Sequence, residues 1–250
     1  YTGGINLADE YINAIVKHGH WKDTAVRLEG EAVRNLTALF LESWNSQSKR
    51  WLECSIFMKR SASYKQANGV VIPFGDGPSP IYKENIGKTV YLNMIHSAKY
   101  YLYITTPYLI CDHEIMNALR IAAQRGVDVR LIVPHIPDKK AIFLMTRSSY
   151  RPLIESGVRI YEYTPGFIHA KNFVCDDQFA VCGTINMDYR SLVHHFECGA
   201  WMYGKECIAD MKEDFLNTLA VSEKVTEEKA KLHLWEQLPA ELMKVFTPLL

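Results

Sequence analysis

The residues best suited to chemistry lie in residues 167–188, where the chain reads FIHAKNFVCDDQFAVCGTINMD. The alternation of apolar and polar residues predicts a β-strand. Successive side chains of a strand point to opposite faces, so His169 and Lys171 are expected to project from the same side. Asp176 and Asp177 predict a turn that leads into a second short strand. The stretch therefore predicts a hairpin with a cationic, titratable end.

Six positions of this stretch satisfy the spacing H-x-K-x4-D-x6-G-[S/T]-x-N, namely His169, Lys171, Asp176, Gly183, Thr184 and Asn186. An imidazole can attack phosphorus to give a phosphohistidine that is then hydrolysed or transferred. A second histidine can protonate the departing alkoxide, and lysine and asparagine can hydrogen-bond the nonbridging oxygens. The pattern therefore predicts phosphodiester chemistry, and this chemistry requires neither a metal nor a cofactor.

A weaker copy of the pattern lies at the start of the sequence. GGIN, which ends at Asn6, resembles GTIN, which ends at Asn186, and an acidic residue follows each copy at the edge of a predicted strand. These acidic residues are Asp23 and Glu197, and we interpret the two copies as halves of an internal duplication. The segment between His169 and Asn186 is longer than the segment that precedes Asn6 in this sequence. The histidine of the first copy is therefore expected upstream of this sequence.

Strands that alternate with helices are predicted to position the hairpin. The predicted strands are 24–28, 70–74, 100–105, 127–133 and 158–161, and the predicted helices are 7–17, 31–51, 85–98, 114–125 and 139–156. Helices that end at glycine between such strands are typical of βαβ units, so an α/β fold with a largely parallel sheet is expected. Residues 1–54 are expected to be the end of one domain, 55–68 a connection, and 69–250 a second domain that carries the complete motif.

Two of the helical segments have apolar faces that need a partner. The helix predicted over residues 31–51 is amphipathic. The side chains expected to face inward are Leu36, Leu39, Phe40 and Trp44. Near the C-terminus, residues 235–250 combine apolar residues with Pro239, which is placed to open a short helix. That helix could pack on the core or lie in a lipid headgroup layer.

Composition narrows the class of protein. Twenty-eight basic and twenty-eight acidic residues cancel, so no overall field draws the chain to nucleic acid or to an anionic membrane. Six cysteines without C-x-x-C spacing indicate a reducing compartment. Neither an apolar run of about 18 residues nor a signal peptide is expected. Four histidines could suggest a metal site, but no supporting cysteine or carboxylate spacing accompanies them. We therefore interpret them as solvated loop residues, namely His18, His20, His194 and His195.

The complete motif resembles the phospholipase D superfamily, often called the HKD family, and most closely its bacterial cardiolipin synthases. TTPYL at 105–109, GVDVRLIVP at 126–134, EYTPGFIHAK at 162–171 and NMDYRS at 186–191 extend the likeness to nearly the whole chain. The family uses two complete motifs, whereas the histidine, lysine and aspartate of the first are absent here.

The resemblance implies a phospholipase D-like sheet flanked by helices and a phosphatidyltransferase activity. The implied reaction joins two phosphatidylglycerol molecules into cardiolipin and glycerol at the cytoplasmic face of the bacterial cell membrane. The partners would be phosphatidylglycerol and the membrane surface, with no nucleic acid. A homodimer would be possible, as in relatives that carry a single motif.

The resemblance also assigns roles to residues. The implied catalytic residues are His169, Lys171, Asp176 and Glu197. The implied phosphate ligands are Lys171, Asn186, Thr184 and Asn6, and the implied supporting residues are Gly183 and Asp23. We expect Glu197 to accept a hydrogen bond from the His169 ring and so to select its tautomer. Asp176 lies in a turn, which favours a mainly structural role. Whether His169 is nucleophile or general acid stays open.

Two other functions compete with the transferase. One is a phospholipase D-type phosphodiesterase of lipid or nucleic acid, although the neutral charge counts against nucleic acid. The other is a catalytically incomplete lipid-binding fragment, because half of the acid-base pair is missing. We expect an isolated monomer to be inactive unless two copies bring their His169 side chains together.

Overall fold

The computed structural model describes residues 1–58, 68–78 and 83–245. The strands are β1 (Thr2–Gly3), β2 (His20–Lys22), β3 (Ala25–Val26), β4 (Val70–Asp76), β5 (Tyr101–Thr105), β6 (Leu109–Ile110), β7 (Asp128–Pro134), β8 (Arg159–Tyr163), β9 (Gly166–Ile168), β10 (Asn172–Cys175), β11 (Phe179–Gly183), β12 (Met187–Asp188), β13 (Glu197–Tyr203) and β14 (Ser222–Lys224). The helices are α1 (Val33–Gln47), α2 (Cys54–Phe57), α3 (Ile86–Ser97), α4 (His113–Gln124), α5 (Lys140–Ser148), α6 (Tyr150–Ile154), α7 (Cys207–Ala220) and α8 (Leu234–Val245). A 3₁₀ turn over Asp9–Ile12 and a π-helical turn over Arg190–His194 complete the described elements.

An eight-stranded mixed sheet forms the centre of the fold, in the order β14-β8-β7-β5-β10-β11-β13-β4. The pairs β5/β7 and β7/β8 are parallel, and the other five pairs are antiparallel. The expected α/β class and mixed sheet are confirmed, but most of the pairing is antiparallel rather than parallel. One reason is the tight turn at Asp176 and Asp177, both at positive φ, which obliges β10 and β11 to run in opposite directions.

The sheet carries an apolar cluster on each face. Helices α3, α4 and α6 cover one face, and α7 covers the other. Phe173 of β10 contributes to the first cluster, whereas Ile168, Ala170 and Val174 contribute to the second. The alternation predicted for the motif is therefore present, although β9 and β10 are separate strands. The irregular segment between these two strands carries His169 and Lys171.

Two of the predicted helices are shorter or broken. The helix predicted over residues 139–156 divides into α5 and α6, and Pro152 lies in the first turn of α6. Proline has no N–H to donate to a carbonyl four residues earlier, so a continuous helical ladder cannot form there. The helix predicted over residues 7–17 is only the 3₁₀ turn, which ends at Asn13 in the left-handed region at φ 58°.

The prediction of inward-facing residues on α1 is partly wrong. Leu41 is the buried residue of this helix, while Phe40 and Trp44 are 59% and 46% exposed. The helix packs on β4, where the Leu39 side chain takes the space that a Cβ on Gly75 would need. Helix α1 therefore contacts the sheet with fewer apolar side chains than the sequence pattern predicts.

Helix α8 begins at Leu234, so Pro239 lies within it and not at its start as expected. An ion pair of 3.2 Å between Arg147 and Glu236 ties α8 to α5. The outward side chains are Trp235, Leu238 and Leu242. Residues 246–250 of the predicted C-terminal segment and 59–67 of the predicted connection lie outside the described residues. In the part of the chain that the structure describes, no helix has the length and apolar character to cross a membrane.

The N-terminal segment lies against the motif hairpin. Strand β2 runs parallel to β9, and β1 pairs with β3 and packs on β11 and β13. The backbone N–H of His169 donates to the carbonyl of Lys22 over 2.7 Å. This packing brings Asn6 and Asp23, which are distant in sequence, to the motif.

Candidate active site

A cavity of about 720 Å³ opens at the junction of the N-terminal segment with β11 and β13. The predicted site residues that line it are His169, Lys171, Thr184, Asn186, Glu197 and Asn6. Leu36, Leu39 and Phe40 of α1 form an apolar wall on one side. Residues from both halves of the proposed duplication therefore meet around one space.

Asp23 is the carboxylate partner of His169. The ring Nδ1–H of His169 donates to Asp23 Oδ2 over 2.8 Å, and the side chains are 14% and 2% exposed respectively. The other carboxylate oxygen accepts the backbone N–H of Thr24 over 2.8 Å, which holds the Asp23 side chain in place. The expectation that Glu197 accepts this hydrogen bond is wrong, because the parallel pairing of β2 with β9 brings Asp23 to the imidazole.

The His169 imidazole is buried enough to favour its neutral form. Burial lowers its pKa, the hydrogen bond to Asp23 opposes that shift, and the neighbouring charge of Lys171 lowers the pKa further. With Nδ1–H committed to Asp23, the lone pair of the neutral ring resides on Nε2. The contact with Asp23 therefore favours Nε2 as the reactive nitrogen.

Lys171 is a buried ammonium group directly beside the imidazole. It is 3% exposed, and Nζ lies 2.7 Å from His169 Nδ1 and 2.9 Å from His169 Nε2. Nζ also donates to the backbone carbonyl of His169. Burial lowers the pKa of Lys171 to about 7, while the charges of Asp23 and Glu197 act in the opposite direction. A bound anion would restore the charged form, because a nearby negative charge favours the ammonium.

Glu197 also lines the cavity and is bound by two hydroxyl groups. Thr184 Oγ1 donates to one carboxylate oxygen, and Ser191 Oγ donates to the other over 2.8 Å. Burial raises the pKa of Glu197, and these two hydrogen bonds lower it. The imidazole of His195 approaches Glu197 only to 3.7 Å. Thr184, a predicted phosphate ligand, is thus bonded to the carboxylate in this structure.

Asn186 and Asn6 face the cavity with different surroundings. Asn186 Oδ1 is buried and has no hydrogen-bond partner in the described protein, while the amide group bonds Asp188. Burial raises the pKa of Asp188. The Asn6 amide group donates to the hydroxyl of Tyr11 over 2.8 Å. Both carboxamides lie where the sequence pattern places phosphate ligands.

Asp176 does not belong to the catalytic group and lies at the far end of β10. Its carboxylate accepts the backbone N–H groups of Lys99, Tyr100 and Tyr101 over 2.7–2.9 Å. It is not among the residues that line the cavity, and its contacts are those of a residue that holds the turn against the start of β5. Gly183 supports the site sterically, since a Cβ there would lie 2.5 Å from the carbonyl oxygen of Cys198.

Sequence reasoning missed three residues that border the site. Ser191 binds Glu197, and its only signal was its place in the NMDYRS stretch. Asp76 lines the cavity at the end of β4 and accepts the N–H of Gly87 over 2.8 Å, at the start of α3. His195, interpreted as a solvated loop residue, also lines the cavity, and its Nε2 accepts a hydrogen bond from Arg190. Pairing across β4 and β13 brings Asp76 opposite Glu197.

No metal-binding cluster is found in the described ranges. Within them, no group of three or more histidine, cysteine, aspartate or glutamate side chains could hold a metal ion. Among the histidines considered at the sequence level, His20 Nδ1 lies 2.9 Å from the hydroxyl of Tyr163. His18 packs near the rings of Trp21 and Phe167.

Together, the helix-flanked mixed sheet and the buried imidazole with its carboxylate and ammonium partners define a phospholipase D-like α/β domain. Residues 91–219 match the family described as "Cardiolipin synthase, PLD-like domain", and the chain belongs to this family.

Curated relatives extend the likeness to nearly the whole chain. An uncharacterized protein of Streptococcus mutans is 48% identical over 251 residues, covering 100% of this chain and 54% of that protein. The cardiolipin synthase of Alkalihalophilus pseudofirmus is 37% identical over 90% of this chain and 44% of its own length. That of Staphylococcus aureus is 36% identical over 100% of this chain and 50% of its own length. The chain spans about half the length of the curated relatives that it matches.

Two solved structures share the fold. Phosphatidylserine synthase of Haemophilus influenzae superposes with a TM-score of 0.69 at 14% identity, over 99% of this chain and 66% of that one. Nuc from Salmonella typhimurium, described as a phospholipase D family member, superposes with a TM-score of 0.51 at 19% identity, over 61% of this chain and 98% of that one. At these identities the likeness concerns the fold alone.

Proposed function

We propose that the chain carries one catalytic motif of a phosphatidyltransferase that joins two phosphatidylglycerol molecules into cardiolipin and glycerol. The observation that supports this most directly is the buried His169 ring, held through Nδ1 by Asp23, with the Lys171 side chain beside it. Such a group can attack a phosphodiester and leave again. The names of the relatives support cardiolipin as the product.

In the first step, Nε2 of His169 attacks the phosphorus of one phosphatidylglycerol. The N–P bond forms, the bond from phosphorus to the glycerol oxygen breaks, and glycerol leaves with a proton from a general acid. Lys171 and Asn186 hydrogen-bond the nonbridging oxygens during this displacement. As Nε2 becomes bonded, the ring acquires positive charge, which Asp23 stabilises through Nδ1–H.

In the second step, a terminal glycerol hydroxyl of another phosphatidylglycerol attacks the phosphohistidine. The new P–O bond forms, the N–P bond breaks, and the hydroxyl proton passes to the group that acted as acid in the first step. The products are cardiolipin and the free imidazole. Water in place of the alcohol would give phosphatidic acid, which is the phosphodiesterase outcome.

In this proposal, the acid of the first step comes from a second motif. Glu197 is bound by Thr184 and Ser191, as Asp23 is bound by His169, and the imidazole of His195 lies 3.7 Å from Glu197. We therefore assign to Glu197 the role of orienting a histidine from the other motif. That motif would be supplied by the rest of a longer chain or by a second subunit.

The substrate determines the remaining partners in this proposal. Phosphatidylglycerol resides in a bilayer, so the reaction takes place at a membrane surface, which we assign to the cytoplasmic face of the bacterial cell membrane. The net charge of zero offers no basic field for a nucleic-acid backbone, and this favours lipid over nucleic acid as the phosphodiester.

A headgroup-exchange assay on phosphatidylglycerol vesicles tests the proposal. The chain would be assayed alone and fused downstream of a domain that supplies the other motif, with cardiolipin, phosphatidic acid and glycerol quantified. We expect cardiolipin and glycerol in equal amounts from the fusion, and their loss in His169→Ala. The matched control is His96→Ala, which removes an exposed imidazole outside the cavity.

The alternatives predict different products. Phosphatidic acid as the sole lipid product would replace the transferase with a phosphodiesterase. Vesicle binding that is equal in the wild type and His169→Ala, with no product from the fusion, would identify a lipid-binding module instead.

A further inference from the structure

Three aromatic rings form a wall beside the His169 imidazole. It consists of Tyr11, Trp21 and Phe167, whose ring centroids lie 5.2, 5.6 and 6.0 Å from that of the imidazole. Tyr11 meets the imidazole edge to face at 87°, and it also packs against Trp21 at 4.6 Å. Such contacts displace water from the ring and limit its rotation.

Tyr11 is held rigidly although it lies in a short turn. The turn ends at Asn13 in the left-handed conformation, and the Asn13 side chain bonds both backbone groups of Trp21. Its amide donates to the Trp21 carbonyl over 2.9 Å, and its oxygen accepts the Trp21 N–H over 2.7 Å. The segment before β2 is thereby fastened to β2, so the aromatic wall is a built feature and not a loose loop.

The hydroxyl of Tyr11 reaches a second part of the site. It accepts the amide N–H of Asn6 over 2.8 Å, and Asn6 lines the cavity. Burial raises the pKa of Tyr11, so the phenol stays protonated at neutral pH. One residue thus contacts the imidazole through its ring and the carboxamide through its oxygen.

We propose that Tyr11 is a positioning residue that couples the two halves of the phosphate site: its ring shields and orients His169, and its hydroxyl orients Asn6. This rests on the proposed function only in taking Asn6 as a phosphate ligand. The ring contact fixes one reacting partner, and the hydrogen bond turns the Asn6 carboxamide toward the same phosphoryl group. Among the described residues, Asp23 and Lys171 are the titratable side chains whose charges act on the imidazole, and both are retained when Tyr11 is substituted.

Two substitutions separate the two contacts of Tyr11. Tyr11→Phe keeps the ring and removes the acceptor for Asn6, whereas Tyr11→Ala removes both. The first readout is the His169 pKa, measured by NMR titration of the histidine side chains. The second is the affinity of the chain for inorganic phosphate. Tyr100→Phe and Tyr100→Ala are the controls, because Tyr100 is 77% exposed.

In Tyr11→Phe we expect an unchanged His169 pKa and phosphate binding that is roughly two- to tenfold weaker, as for the loss of one neutral hydrogen bond. In Tyr11→Ala we expect similarly weakened binding together with a His169 pKa that rises toward its ordinary value, because water regains access to the ring. The Tyr100 variants are expected to leave both quantities unchanged.

Several outcomes would overturn the proposal. They are a His169 pKa in Tyr11→Ala equal to that of the wild type, phosphate affinity in Tyr11→Phe equal to that of the wild type, or no phosphate binding by the folded wild-type chain. Both readouts are independent of turnover. If the variants show these changes in the His169 pKa and in phosphate affinity but lipid transfer fails, the proposed function would be wrong. The role of Tyr11 would then still hold.

Discussion

Lys171 shows how function and stability conflict at a single residue. An ammonium group 3% exposed in the cavity floor lacks the water that would solvate its charge, and burial brings its pKa to about 7. The unfolded chain binds this proton up to the ordinary pKa near 10.5. Between these two pKa values the unfolded state binds more protons than the folded state, so Lys171 makes the free energy of unfolding rise with pH. Lys171 therefore lowers the free energy of unfolding most at pH 7 and below.

We predict that Lys171→Met raises the free energy of unfolding at pH 7 by roughly 1–3 kcal/mol and abolishes phosphate binding. The gain should shrink as pH rises from about 7 and vanish above 10.5, because the wild-type lysine is then neutral in both states. Urea unfolding at several pH values measures it. The contrasting variant is Lys88→Met, which loses ion pairs with Asp112 and Glu114 and should be destabilised. A Lys171→Met protein less stable than wild type at pH 7 would contradict the argument.

Ser191 has a separate and measurable role through Glu197. Its hydrogen bond lowers the pKa of Glu197, so in Ser191→Ala that pKa should rise further above its ordinary value. Because the proposed mechanism needs an ionised Glu197, the acidic limb of the pH–activity profile of the fusion should move to higher pH. Stability should fall by about 1 kcal/mol. An unchanged acidic limb would show that Glu197 ionisation does not limit the reaction, and Ser97→Ala is the exposed control.

At the scale of elements, two glycines are needed for different reasons. A Cβ on Gly4 would clash with the Asp23 carboxylate and lie 2.7 Å from the His169 carbonyl oxygen. Gly126, at the end of α4, has φ 92° and open space around it. One position is constrained by contact, and the other by backbone conformation.

Gly4→Ala should therefore displace Asp23 and reduce phosphatidyl transfer by the fusion at least tenfold, in line with a shift of about 1 Å in a catalytic group. Gly126→Ala should leave activity unchanged and lower stability by about 1 kcal/mol through strain alone. Assays paired with thermal unfolding distinguish the two. Full activity in Gly4→Ala would show that the fit between β1 and the motif is not needed for catalysis.

Helices α1 and α7 have apolar residues at the same spacing, but these residues are buried to different degrees. The matching residues are Val33, Leu36, Phe40 and Trp44 on α1, and Ile208, Met211, Phe215 and Leu219 on α7. The α7 residues pack on the sheet, whereas Phe40 is 59% exposed. The prediction from the sequence that residues 1–54 belong to a preceding domain implies that the exposed Phe40 would be covered in a longer chain.

In the 250-residue chain, Phe215→Ala should cost about 3–5 kcal/mol of stability, because it leaves a core cavity. Phe40→Ala should cost less than about 1 kcal/mol in the chain and considerably more in the two-motif fusion. Chemical unfolding of both forms measures this. An equal, small effect of Phe40→Ala in the fusion would show that the face stays uncovered there.

At the scale of the whole molecule, the proposed reaction requires a second imidazole. With one complete motif in the sequence, a strictly monomeric preparation of the chain should show no phosphatidyl transfer. Specific activity should rise with protein concentration if two copies bring their His169 side chains together. Sedimentation and initial rates over the same concentration range test this. Turnover that is independent of concentration in a monomer would contradict the two-imidazole scheme.

The sequence by itself determined the residues of the motif and most strands of the main sheet, but not the direction in which these strands pair. The spacing from His169 to Asn186 and the alternation along β10 depend on neighbours in the chain, and glycines 126 and 157 mark helix ends that the structure retains. Such features can be read locally because backbone preference and strand periodicity act over a few residues.

Only the tertiary structure decided which carboxylate serves His169. Asp23 and Glu197 have equivalent places in the two halves of the duplication, and nothing in their local sequence says which one contacts which ring. The choice depends on the pairing of β2 with β9, which joins segments far apart in the chain. The same holds for the exposure of Phe40 and for the structural role of Asp176, because burial and long-range hydrogen bonds follow from packing and not from spacing.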